Sequence, residues 1–402
     1  MKSKSVLFLS NGHGEDAINC QILQALRASP SDVDVAAMPI VGDGAAYGRS
    51  GVPMIGPTSK MPSGGVFYMN PLFLLQDLGA GLIALTWQQL RAVWSHSRHC
   101  DLVVATGDIV AAAIAHLTDR PYIIFLSAHS SYYEGRVNLG LVLWKLLSSP
   151  RCLAVFTRDA LTAADLNRQG LKKAKFVGNP VMDNLNYTGK DLQLIPGVRT
   201  IALLPGSRLP EANHNLILLL KLVKEIAAVS AIPVQFRAAL VPSLMPELDR
   251  IAARSGWQHQ SGKLIIQGIK QSFCQQQLAV EVLCYSDAFA DILQQSSLVI
   301  GMTGTAVEQA VGLGKPVIAV PGNGPSFTYR FAEAQHRLLG NSVQVIGTKP
   351  ANNDIIKQAA LALYRTLQDD NYLASCVKNG LERMGRSGAS IKIANYLVKY
   401  LN

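Results

Sequence analysis

Three short stretches carry residues whose types and spacing suit phosphate and sugar chemistry. The first is SNGHGED, residues 10–16, directly behind an apolar run. Gly12 and Gly14 allow a tight turn there, and Glu15 with Asp16 suits the first turn of a helix, where carboxylates meet the positive end of the dipole. His13 is then held at the mouth of a sheet. An imidazole in that place can act as a general base; the plainer reading is a solvated histidine in a capped turn. The loop lacks the spacing GxGxxG, and the chain contains no GxxxxGK[ST].

The second stretch is ALLPGSRLPEAN, residues 202–213. Gly206 lets the backbone approach a phosphate, Ser207 offers a hydroxyl, and Arg208 can clamp a diphosphate with two parallel hydrogen bonds. Its plainer reading pairs Arg208 with Glu211. The third, GMTGTAVEQAVGLGKPVIAVPG, spans residues 301–322. Thr303, Gly304 and Thr305 put hydroxyls and N–H groups at a helix start, which is a ready seat for an anion. Glu308, one turn in, suits the two hydroxyls of a ribose and equally suits offsetting the helix dipole.

These stretches need strands in front of them and helices behind. Apolar, β-branched runs at 6–10, 33–38, 102–106, 122–127, 153–157 and 175–177 alternate with helical patterns. After a loop-like stretch at 186–197 a new series begins, with strands at 200–204, 234–239, 264–267, 298–300, 317–320 and 343–346. Alternation of this kind predicts α/β architecture with parallel sheets, and a restart after a Gly- and Pro-containing connection predicts two doubly wound domains. A chain of 402 residues also exceeds what one core supports. In such sheets ligands sit beyond the carboxyl ends of the strands, where all three stretches fall. Ile391, Ile393, Ala394, Leu397 and Leu401 give the last helix one apolar face.

The ordered set PGSRLPE, FVGNP (176–180) and GTAVEQAVGLGKPVI resembles the GT-B glycosyltransferases, most closely the lipid-A-disaccharide synthase family, over nearly the whole chain. The resemblance implies two Rossmann-like domains facing a cleft: an acceptor-side domain at 1–190, completed by a returning helical segment at 371–402, and a nucleotide-sugar domain at 191–370. It implies a UDP-sugar donor, a lipid or glycolipid acceptor, inversion, and neither metal nor cofactor. By it, Gly206, Ser207 and Arg208 meet the donor diphosphate, Thr303, Gly304 and Thr305 flank it, Glu308 holds ribose, and Gln335 in the stretch 325–340 contacts the sugar or uracil. Gly12, Gly14 and Glu15 form the acceptor loop. His13 resembles the histidine of the transferase that adds N-acetylglucosamine to a muramoyl lipid, and Asp108, in ATGDIVAA, corresponds to the synthase's aspartate-bearing loop. A UDP-sugar 2-epimerase of the same fold and a non-catalytic nucleotide-sugar or lipid binder are the alternatives.

Lys plus Arg exceed Asp plus Glu by 37 to 27, which favours anionic partners. No basic run interleaved with aromatics occurs, so nucleic acid is not an expected partner. The six cysteines are dispersed without a CxxC pair, excluding a zinc knuckle and suggesting reduced thiols. The apolar run at 6–9 is too short for the core of a signal peptide, and a cytoplasmic chain is expected. Residues 69–94 are more apolar than an ordinary surface connection. With Arg91, Arg98, Arg136, Trp144, Lys145 and Arg151 they could seat the chain peripherally on anionic lipid; buried helix packing is the plainer reading.

Overall fold

A computed structural model of the chain describes residues 3–30, 32–58, 82–272 and 277–402. They form two compact units, residues 1–183 with 385–402, and residues 184–384.

The first unit holds strands β1 (Lys4–Ser10), β2 (Val33–Pro39), β3 (Leu102–Gly107), β4 (Tyr122–Leu126), β5 (Cys152–Thr157) and β6 (Ala174–Lys175). They pair in the order β2-β1-β3-β4-β5-β6, every pair parallel. Strands buried on both faces read as unbroken apolar runs, and β3 and β4 are buried along their whole length. The helix His13–Arg27 covers β1 with Ile18, Ile22, Leu23 and Leu26, a spacing of three to four that keeps one face inward.

The second unit holds β7 (Arg199–Leu204), β8 (Val234–Ala239), β9 (Gln258–Gln260), β10 (Lys263–Lys270), β11 (Gln277–Tyr285), β12 (Leu298–Gly301), β13 (Val317–Ala319) and β14 (Val343–Val345). Their order is β14-β13-β12-β7-β8-β11-β10-β9. The pairs from β14 to β11 are parallel, while β10 runs antiparallel to both β11 and β9. Two of these strands were not expected. β9 is three polar residues, and the first half of β11 alternates exposed and buried positions, an edge pattern unlike the buried runs around it.

In each sheet one strand is the point from which the winding reverses. β1 lies between β2 and β3, and β7 lies between β8 and β12. The loops after β1 and β3, and after β7 and β12, therefore occupy the two topological switch points, the places where open α/β sheets take ligands.

The last helix, Ala389–Leu401, belongs to the first unit and packs on His13–Arg27. Its N-terminal amides are held by Asp183, which accepts from Gly388 N–H (2.6 Å) and Ser390 N–H (2.6 Å). The helix before it, Asp370–Met384, lies in the second unit, so the returning segment begins at Gly385 and not at 371. The reason is close packing. Gly380 brings this helix onto Thr305–Gly312 so tightly that an added Cβ would strike the Val311 carbonyl. Gly380→Ala should accordingly lower stability by roughly 1–3 kcal/mol, the range for overpacking. Thermal unfolding of the full chain checks this, and an unchanged Tm would refute it.

Candidate functional site

At the first switch point β1 ends at Ser10, opposite Thr106 of β3. The chain turns through Asn11 and Gly12, and the helix begins at His13. His13 is exposed and makes no hydrogen bond with the described residues. Its ring lies against Gly42, whose φ of 92° suits glycine and where a Cβ would be 2.6 Å from His13 Cε1. Asp108 caps the helix Ile109–Leu117, accepting from Val110 N–H (2.9 Å) and from Asn11 Nδ2 (2.8 Å). Its carboxylate thus ties the loop after β3 to the loop after β1. Glu15 accepts from Ser127 Oγ (2.8 Å), just beyond β4, so the acceptor-loop glutamate also links neighbouring strand ends.

Beneath this loop lies a buried polar chain that the motif reading left out. Ser10 Oγ is 2.6 Å from Asp16 Oδ1 and 2.6 Å from Tyr47 OH. Asn19 donates to Tyr47 OH (2.9 Å) and Leu9 O (3.0 Å), and accepts from Thr106 Oγ1 (2.6 Å). Asp16 is 1% exposed. Burial lifts its carboxyl from the ordinary carboxylate range to about 7, against the pull of the Ser10 hydrogen bond and with help from Glu15 and Asp43. The motif itself offered one signal: Asp16 lies three residues after His13, in the same helical turn.

The second switch point brings the other two motifs together. The strands β7 and β12 pair through Leu204 and Gly301, and Met302 N–H donates to Leu204 O (2.9 Å). Gly206, at φ 100°, passes the Met302 carbonyl so closely that a Cβ would be 3.3 Å from it. Ser207 and Arg208 are exposed, and Arg208 forms no ion pair among the described residues. Glu211 is otherwise engaged: it is buried and accepts from Ser326 N–H (3.0 Å) and Phe327 N–H (2.9 Å). The sequence suggested Glu211 only as a partner for Arg208; here it shapes the loop after β13. Asn215 likewise holds the Pro205 carbonyl at 2.9 Å.

Thr303 and Gly304 lead into the helix Thr305–Gly312, with Val307 and Glu308 N–H bonded back to Gly304 O. The remaining first-turn N–H groups point out of the helix start, as at any N-terminus. Glu308 is half-buried on this turn. Gln335 differs from the expected donor contact. It is 5% exposed, and its Nε2 donates to Thr303 O (3.1 Å) and Gly304 O (3.1 Å), bracing the turn from behind. Expected to touch a ligand, it supports the residues that could.

The expected apolar segment lies partly outside the described residues, at 69–81. Its remainder belongs to the helix Leu82–Ser97, which buries Gln89, Val93 and Ser97 but leaves Ile83 73% and Trp87 57% exposed. Trp94 reaches Leu117 O at 2.8 Å, and Ile109–Leu117 packs on Gly140–Ser148, where Leu141 is 83% exposed. No helix among the described residues is long and apolar enough to cross a membrane.

No protein-family model matches the chain, and no curated protein does. Solved structures do. The calicheamicin glycosyltransferase CalG4 has a TM-score of 0.61 at 13% identity, over 100% of this chain and 99% of its own. MurG from Acinetobacter baumannii gives 0.58 at 13% identity, over 98% and 99%. The S. aureus MnaA structure with UDP gives 0.57 at 14% identity, over 99% and 97%. The chain has the GT-B fold. Both glycosyltransferases and UDP-N-acetylglucosamine 2-epimerases share it.

Asp16 gives this site a pH signature. A buried carboxyl whose folded pKa lies above its unfolded value costs stability as pH rises from about 4 to about 7, because only the folded state then retains the proton. Asp16→Asn should therefore unfold at a higher temperature than the natural chain at pH above about 7. The gain is roughly 4 kcal/mol at most and shrinks towards pH 4. Denaturation curves at both ends of this window check the sign; a gain larger at low pH would refute it.

Proposed function

We propose that the chain uses a UDP-sugar, transferring a sugar of the N-acetylglucosamine type to a hydroxyl of a lipid or glycolipid acceptor, with inversion and without a metal, as a lipid-A-disaccharide synthase-like transferase. The observation that carries this is the content of the two switch points. One presents an exposed histidine on a glycine-flanked turn, the other an arginine without an ion pair among the described residues, beside a threonine-lined helix start.

Arg208, with Ser207 and the N–H groups of Thr303, Gly304 and Thr305, binds the donor diphosphate. As the glycosidic bond to the diphosphate breaks, these groups hold the developing negative charge, the largest service such a site can render. Glu308 holds the ribose. His13 takes the proton from the acceptor hydroxyl as its oxygen attacks the anomeric carbon. It is preferred to Asp108 because it is exposed and unengaged, whereas the Asp108 carboxylate caps a helix and holds Asn11.

The acceptor class is supported by the apolar residues that the first unit leaves in solvent, Ile83, Trp87, Trp94, Leu141 and Val142, accompanied by exposed Arg91, Arg98 and Lys145. Tryptophan and aliphatic side chains with basic neighbours suit the surface of an anionic membrane. A cytoplasmic, peripheral location belongs to the same reading. A 2-epimerase is the second reading, favoured by the fold shared with solved UDP-N-acetylglucosamine 2-epimerases.

Radiolabelled UDP-N-acetylglucosamine with and without a total lipid extract separates the two. Label entering lipid supports transfer, and an epimerised donor in the absence of lipid supports the second reading. Arg208→Ala should weaken UDP binding by roughly 1.5–3 kcal/mol, the scale for hydrogen bonds to a charged group. Calorimetric titration giving equal affinity would remove Arg208 from the donor site. His13→Ala should abolish turnover and leave UDP affinity almost intact; turnover at the natural rate would remove His13 from the mechanism.

A further inference from the structure

We infer that Asp16 is a positioning residue for His13: its carboxylate, acting through Ser10, fixes the turn that presents the imidazole, and its state of ionisation sets how well that turn is held. The inference rests on the transferase reading of this site.

The hydrogen bonds of the buried chain run in one direction. Asn19 Oδ1 is taken by the Thr106 hydroxyl, so its Nδ2 must face Leu9 O and Tyr47 OH. Tyr47 oxygen accepts there, which leaves its proton for Ser10 Oγ, and the Ser10 proton then goes to Asp16 Oδ1. Ser10, Tyr47, Asn19 and Thr106 have no exposure at all, so no solvent can substitute for a missing partner. Asp16 also closes the turn with its main chain, since its N–H donates to Gly12 O at 2.9 Å. Residues 11–15 are thus pinned at both ends to the one residue, and His13 stands at their centre.

The carboxylate is a costly way to satisfy one hydroxyl, because an amide would do so without burying charge. What a carboxylate adds is a second state. Ionised, it accepts a charge-assisted bond from Ser10, about twice as strong as a neutral one; protonated, it loses that strength and the turn is held less firmly. The titratable groups around it are Glu15 and Cys20 on its own helix, Asp43 in the loop beside Gly42, and Tyr47 on the short helix Ala45–Arg49. Arg27 and Arg49 act on Cys20. His13 itself rests on Gly42, the residue before Asp43.

His13–Gly14 is the one His-Gly pair in the sequence. Full-length chain carrying carbonyl-labelled histidine and nitrogen-labelled glycine therefore gives a single amide signal that reports on Gly14. Followed across pH, that signal should move with an inflection near 7, the value set by the buried Asp16. Asp16→Asn should abolish the inflection and Ser10→Ala should do the same, so a poorly folding variant of either kind leaves the other to decide. His13→Phe, with the carbonyl label moved to phenylalanine, which precedes no glycine elsewhere in the sequence, should keep it, separating Asp16 from the imidazole. An inflection that survives Asp16→Asn, or one lost in His13→Phe, overturns the inference.

With UDP-N-acetylglucosamine and a lipid extract, Asp16→Asn should lower kcat roughly tenfold or more, the cost of a misplaced group. KM for the donor should hold, and the acid limb of the pH profile should be flattened. An unchanged kcat and profile also overturns the inference. A natural chain that turned over no UDP-sugar would overturn the transferase reading alone, since the Gly14 signal answers for Asp16 without any reaction.

Discussion

Parallel strands buried on both faces force the placement of the motif residues in this protein. A strand such as β3 or β4 has no solvated side on which to carry a functional group, so such groups collect where the strands stop. At a switch point the chain leaves two adjacent strands towards opposite sides, and the space between their ends is the one opening the sheet provides. β1 with β3, and β7 with β12, are those strands here. All the histidine, arginine and threonine chemistry of the molecule's motifs is hung on these four carboxyl ends.

Positioning in both units comes from groups one layer behind the exposed ones. Asp16 and Asp108 hold the loop that carries His13, while Glu211, Asn215 and Gln335 hold the loops around Arg208 and Thr303. Each of these supports spends its hydrogen bonds on backbone or on a buried or half-buried side chain. Exposed side chains on glycine-rich turns would otherwise have many conformations to lose on binding.

The sheets were legible in the sequence because buried strands write themselves as apolar runs, and twelve strands were placed. β9 and β11 were not, since an antiparallel edge mixes polar and apolar residues and β9 has no apolar residue at all. The switch-point loops were legible through Gly, His, Arg and Thr. Gln335 was read as a ligand contact because its helix position was visible and its burial was not. Tyr47 and Asn19 lie outside the motifs, so only the fold brings their hydroxyl and amide to Ser10.

The grip of Asp183 on the last helix has a consequence for how the chain is made. Its carboxylate waits for the amide of Gly388, 205 residues further along. Ile393, Ala394, Leu397 and Leu401 complete the covering of a helix that begins at residue 13. A ribosome delivers the whole second unit before it delivers those residues. The unit begun first is therefore completed only after the second has been made, and its exposed seam must be kept from wrong partners until those residues emerge.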